Sequence, residues 1–184
     1  MLHPGDCTLY SGGAPGAESF FGEVAERYSV QEVNFSFDRH HSERARGLRV
    51  LTKEELALKD VSLSYVSRLL RREYTRAPLF RKVLQSICWQ VSSGHATYVI
   101  GAIMEDGTVR GGTGWGAEFA KLCNKPLLVF DQARNAWFRW HNDSWLPELD
   151  PVISKQLFTG TGTRFLQANS RKAIEDLFAR SFKG

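Results

Sequence analysis

The sequence predicts one α/β domain: a mostly parallel sheet with helices on both faces and an extra edge strand. Three observations carry this expectation. Short β-like runs alternate with helical patterns along the chain. The length, 184 residues, suits a single domain of roughly 100–200 residues. Three times, an apolar strand runs into a glycine-rich turn that opens a helix, at Ser11–Glu18, Gly111–Glu118 and Gly160–Arg164, as at the carboxyl edge of a parallel sheet.

The elements follow in order. Cys7–Tyr10 is a short apolar strand ending in Ser11-Gly12-Gly13. A helix pattern comes next, with Phe21, Val24, Ala25 and Tyr28 at i, i+3, i+4 and i+7 and Glu18 in the opening turn. In Glu32–Phe37, Val33, Phe35 and Phe37 alternate with Asn34 and Ser36, as in a half-buried strand. Residues 38–49 (DRHHSERARGLR) are polar, basic and aperiodic, and read as a loop. Helical stretches are expected over Thr52–Tyr74 and Pro78–Val91, the latter with proline in its first turn. Thr97–Ile103 reads as a buried strand, and a turn at Glu105-Asp106-Gly107 precedes RGGTGWGAE and another helix. On that helix Trp115, Phe119, Leu122 and Cys123 share one face, and Asn124-Lys125-Pro126 ends it. Leu127–Phe130 is a buried strand closing on Asp131, and Ala136–Trp140 the extra edge strand. Pro147–Pro151 reads as a connecting loop. Leu157–Thr159 is a last short strand, and GTGTR then leads to a C-terminal helix with Ala173, Ile174, Leu177 and Phe178 on its apolar face.

Composition narrows the class. Apolar residues make up 42% and charged residues 24%, which argues against a disordered or fibrous chain. The longest strongly apolar stretch, Tyr98–Met104, is far shorter than the roughly 20 residues of a membrane helix. The opening MLHPGDCTLY lacks a basic segment followed by an apolar one, so no secretory signal is expected. Cys7, Cys88 and Cys123 are odd in number and scattered, which points to a reducing, cytoplasmic setting.

The net charge of +4 is unevenly spread, with twelve basic against five acidic residues between Arg39 and Lys82. Such a segment could steer an anion, from a nucleotide to a nucleic acid. On charge alone, a solvated helical face with Arg and Lys covering apolar surface is the preferred reading. Aromatic residues are not interleaved with it as stacking platforms would require, which argues against single-stranded nucleic acid.

The glycine-rich turns carry the functional signal. Glycine lets the backbone approach a ligand, and a helix N-terminus offers N–H groups and partial positive charge. One such turn is weak, because tight strand–helix turns need glycine anyway. Three converging on one sheet edge predict a phosphate site built from Ser11, Gly12, Gly13 and Gly16, from Gly111, Gly112, Thr113 and Gly114, and from Gly160, Thr161, Gly162, Thr163 and Arg164. No GxxxxGK[ST] is present, and Gly12–Gly16 does not fit GxGxxG.

The runs YSGGAPGAE (Tyr10–Glu18) and GGTGWGAE (Gly111–Glu118) resemble the two motifs of the SLOG superfamily. That superfamily groups the "lonely guy" phosphoribohydrolases with the DNA-processing protein A family and nucleotide-sensing Rossmann-like domains. In the phosphoribohydrolase motif PGGxGTxxE, Gly111, Gly112, Gly114 and Glu118 match in spacing, while Arg110 stands for the proline and Trp115 for the threonine. FTGTGTR (Phe158–Arg164) resembles a third motif of uncharacterised members. The resemblance implies a Rossmann-like fold and loss of the base from a nucleoside 5′-monophosphate. It implies Glu118 and an arginine, best matched by Arg81, as the working pair, and an oligomer, by default a homodimer.

Chemically, breaking an N-glycosidic bond builds positive charge on the ribose, which a carboxylate can stabilise. Glu118 fits that role, or is only a helix-dipole carboxylate; for Glu18 the dipole reading is preferred. Asp131 could hold ribose hydroxyls or simply bond its own turn. Trp115 could stack on a base or anchor its helix. His40-His41 lacks partners at ligand spacing, so no metal site and no cofactor are predicted. The expected partner is a nucleotide-like small molecule, either hydrolysed or merely sensed, as by a receptor for an ADP-ribose-type signal.

Overall fold

A computed structural model describes residues 2–182. Its strands are β1 (Thr8–Ser11), β2 (Gln31–Ser36), β3 (Leu48–Val50), β4 (Thr97–Gly101), β5 (Leu127–Asp131), β6 (Ala136–His141), β7 (Ser144–Glu148) and β8 (Leu157–Gly162). The helices are α1 (Ala17–Arg27), α2 (Lys53–Ala57), α3 (Asp60–Leu70), α4 (Pro78–Ser93), α5 (Thr113–Leu122) and α6 (Ala168–Ser181). All eight strands form one sheet in the order β3-β2-β1-β8-β4-β5-β6-β7. Pairs from β3 across to β5 are parallel, and β6 and β7 add an antiparallel edge. This is a Rossmann-like α/β domain.

Strand alternation divides the core. Tyr98 and Ile100 of β4 face α1 and α6, packing with Phe21, Phe158, Ile174 and Phe178. Val99 and Val129 face the other way, into the layer of Leu63 and Val66 from α3, Leu84 and Ile87 from α4, and Trp115 and Phe119 from α5. Helices thus cover both faces, as a buried parallel sheet requires.

Several elements differ from the sequence reading. The stretch 52–74 breaks into α2 and α3. Thr52 and Glu55 form a reciprocal capping box at the start of α2, and the indole of Trp89 donates to the Glu55 carbonyl at 3.0 Å. The loop over 38–49 ends in the short edge strand β3. Residues 144–148 form β7, although they contain Pro147; an edge strand tolerates a residue without an N–H. Asn142 and Asp143, both at positive φ, make the two-residue turn that joins β7 to β6. The apolar face assigned to α5 stops at Phe119, since Leu122 is 46% exposed and Cys123 is exposed.

The third glycine-rich run is also different. Gly160, Thr161 and Gly162 belong to β8 itself, at the centre of the sheet, and α6 begins only at Ala168. Gly160 is needed there because a Cβ would meet the ring of Phe21. Only two of the three runs therefore open helices directly.

Candidate functional site

From β1 the chain winds outward to β2 and β3; from β4 it winds the other way to β5, and β8 fills the gap. Connections that diverge from neighbouring parallel strands leave a crevice at their carboxyl ends. Here that crevice is a cleft of about 610 Å³. Its lining includes Glu18 from α1, Gln90 from α4, Gly111, Gly112 and Thr113 at the start of α5, and Thr161 to Phe165.

Glu18 is the carboxylate of this cleft. It sits in the first turn of α1, buried, and accepts from Thr161 Oγ1 at 2.7 Å and from Ala14 N at 3.2 Å. With the Gln90 amide turned to satisfy both of its ends, Nε2 donates to Glu18 at 3.2 Å and Oε1 accepts from Gly12 N at 3.3 Å. Burial pushes the Glu18 carboxyl above its ordinary value, against the opposing pull of these donors and of Arg164. Thr161 reaches Glu18 only because β8, the last strand in sequence, lies between the first and the fourth.

The positive side of the cleft comes from Arg110, Arg164 and the N-terminus of α5. Both arginines are exposed, and neither has a carboxylate partner among the described residues. Gly114 N and Trp115 N already donate to the Gly111 and Gly112 carbonyls at 3.2 and 3.0 Å, so this helix end contributes mainly its partial positive charge. Arg72 braces this loop from α3's end, donating to the carbonyls of Val109 and Gly111 at 3.0 and 3.1 Å and to Thr108 Oγ1 at 3.0 Å.

His40 enters the cleft from the loop over 38–47. Its Nδ1 lies 3.1 Å from Ser36 Oγ and its ring stacks near Phe37 at 4.5 Å. Burial, with Arg164 and His41 nearby, depresses its pKa. The loop itself is anchored: Glu43 N donates to the Gly13 carbonyl at 2.8 Å, and Arg44 binds the buried Glu32 at 2.6 Å and Glu26 at 2.7 Å.

Of the residues singled out from sequence, Gly111, Gly112, Thr113, Thr161, Gly162, Thr163 and Arg164 meet in the cleft. The others serve its frame. Ser11 Oγ donates to the Gly160 carbonyl at 2.7 Å, and Gly12 and Gly13 lie behind Glu18 and beneath Ser42. At Gly16, a Cβ would run into the backbone of Thr163 and Arg164; at Gly114, into the Val109 carbonyl. Trp115 is core, 5.9 Å from Tyr74. The Asp131 carboxylate accepts from the backbone of Ile103, Ala133 and Arg134, which is its turn-bonding role.

Glu118 and Arg81, the pair implied by resemblance, do not line the cleft. Glu118 pairs with Lys121 at 3.1 Å, and the Lys121 ammonium lies over the Trp140 ring at 3.7 Å. Arg81 pairs with Asp60 at 2.9 Å and stacks on Tyr74. Part of the basic middle segment is likewise spent on internal partners: Arg44 and Arg46 on Glu32, Arg49 on Glu55, Arg81 on Asp60. The cleft's two unpaired guanidiniums lie outside that segment.

Sequence reasoning missed His40, Phe80, Gln90, Arg110, Gln132 and Phe165 as cleft residues. Arg110 and Phe165 flank motifs already noticed, so adjacency could have flagged them. Gln90 and His40 arrive through long-range packing and had no local signal.

Fold and cleft together define an α/β protein with an anion-friendly crevice at a topological switch point. Among the described residues, no helix is long and apolar enough to cross a membrane. No family model matches the chain, and no curated protein does. Among solved structures, a proposed molybdenum carrier protein from Syntrophus aciditrophicus SB is similar. It has 16% identity and a TM-score of 0.56, over 96% of this chain and 94% of that one. At that identity the likeness is one of fold.

Proposed function

We propose that the chain binds a phosphorylated nucleotide or nucleotide derivative in the carboxyl-edge cleft. The phosphate lies against Gly111–Thr113 at the start of α5, with Arg110 and Arg164 as its charged partners, and the sugar faces Glu18. One observation carries this reading: two guanidiniums without carboxylate partners among the described residues share a cleft with a helix N-terminus and a buried carboxyl group. Hydrogen bonds to charged groups contribute about 1.5–3 kcal/mol each, so losing either arginine weakens binding by roughly 10- to 100-fold.

Calorimetric titration tests this directly. Nucleoside monophosphates should bind well above the corresponding nucleosides, and Arg110→Ala and Arg164→Ala should each show the stated loss. Equal binding of nucleoside and monophosphate would sink the phosphate assignment. Phosphate or molybdate alone binding as tightly as any nucleotide would replace it with an oxyanion carrier, as the structural neighbour's name suggests.

The raised pKa of Glu18 favours a second, catalytic reading. A carboxyl group that keeps its proton further up the pH scale can give it to a departing base as the C1′–N bond breaks, while water adds its hydroxide to C1′ and returns its remaining proton to the Glu18 carboxylate. Glu18 then takes the part that the motif resemblance assigns to Glu118. Free base released from a monophosphate panel, lost in Glu18→Gln and retained in Glu118→Gln, is the expected result. Tight binding without release makes the protein a nucleotide sensor.

A further inference from the structure

Phe165 is 85% exposed, yet it lines the cleft. Its backbone is held firmly. Phe165 N donates to Thr163 Oγ1 at 3.1 Å, and its carbonyl accepts from Gln132 Nε2 at 3.3 Å. Gln132 Oε1 in turn accepts from Gln167 N at 3.0 Å and Ser170 Oγ at 2.8 Å. A pinned backbone thus presents a ring that packs into neither core layer. A second half-exposed ring, Phe80, comes from the first turn of α4; a Cβ on Gly112 would lie 3.5 Å from it. Phe165 thus comes from the loop between β8 and α6, beside Arg164, and Phe80 from α4, beside the α5 loop. Val83 and Ile87 extend the apolar lining.

We infer that the mouth of the cleft is a slot for a nucleobase, with Phe165 as the face on which the base stacks and Phe80 as the wall across from it. This deepens the nucleotide reading and rests on it. A flat π-bearing ring suits the site because an exposed aromatic gains most from a ligand that covers its face and leaves the edge polar groups in water. The pinned backbone removes the ordering cost that a mobile loop would bring. The assignment separates two parts of one ligand: guanidiniums and helix terminus for the phosphate, phenylalanines for the base.

The test compares AMP with ribose 5-phosphate, which lacks the base, on the full chain by calorimetry. Phe165→Ala should weaken AMP binding about tenfold and leave ribose 5-phosphate within about twofold, and Phe165→Tyr should restore AMP affinity. If wild type binds both probes and Phe165→Ala changes neither, or changes both equally, the slot is refuted and the phosphate reading stands. Ribose 5-phosphate binding as tightly as AMP to wild type refutes it in the same way. If wild type binds neither, the nucleotide reading itself fails and takes the slot with it.

Discussion

Glu18 and Glu118 close two nearly matching runs, GGAPGAE and GGTGWGAE, and the fold treats them oppositely. Glu18 is the second residue of α1 and points back to the sheet edge, where Thr161 meets it. Glu118 is the sixth residue of α5, because that helix starts early, at Thr113. At 3.6 residues per turn it lies about 140° around the helix from Thr113. Thr113 lines the cleft, so Glu118 is carried to the far side, onto Lys121. Spacing within a motif therefore places a side chain only once the start of the helix is known.

The glycines of the two runs should show the largest differences. Gly16→Ala and Gly114→Ala each drive a Cβ into backbone and should cost about 3 kcal/mol in denaturant unfolding. Gly111→Ala has left-handed φ but open space around it, and should cost about 1 kcal/mol. Equal losses at Gly111 and Gly114 would contradict the tight α5 entry seen here.

The carboxylates come next. Glu18→Ala leaves Thr161, Ala14 N and Gln90 without their acceptor and should cost about 1–3 kcal/mol. Glu118→Ala removes a largely buried pair, but Lys121 keeps the Gly107 carbonyl at 3.3 Å and the Trp140 ring, and the change should cost about 1 kcal/mol. A larger loss at Glu118 would reverse the contrast.

Glu18 should also give the stability a pH dependence. Glu18 titrates higher in the folded chain than unfolded, so the folded state holds the extra proton. Stability should then fall as pH rises from the ordinary glutamate value, about 4.5, through the raised folded value. Above that window the loss is complete and constant. Glu18→Gln should flatten this part of the curve, measured by urea midpoints across pH.

The smallest stability effects belong to the cleft's arginines. Arg110→Ala and Arg164→Ala should shift unfolding by within about 0.5 kcal/mol, because both are exposed and lack ion-pair partners among the described residues. Melting temperatures would show it, and a large loss would mark them as structural.

Much of the fold was legible because periodicity reports burial. The alternation of Val33 and Phe35, the Phe21–Val24–Ala25–Tyr28 stripe and the apolar run at Thr97 each identified an element from local pattern alone. The edge strand β7 was hidden by Pro147, and the extension of β8 through Gly160 to Gly162 by glycines that look like a turn. In the cleft, Gly111 to Thr113 and Thr161 to Arg164 were visible as a motif; Gln90 and His40 were not.

By itself, the sequence determined the α/β class, most of the helices and strands, and the presence of glycine-rich backbone at the sheet's carboxyl edge, since these depend on neighbours a few residues apart. Tertiary structure alone decided that β8 inserts between β1 and β4, that Thr161 therefore meets Glu18 across 143 residues, and that Glu118 turns away. The physical reason is that helical phase and strand order fix where side chains converge, and both are settled by packing across the whole sheet.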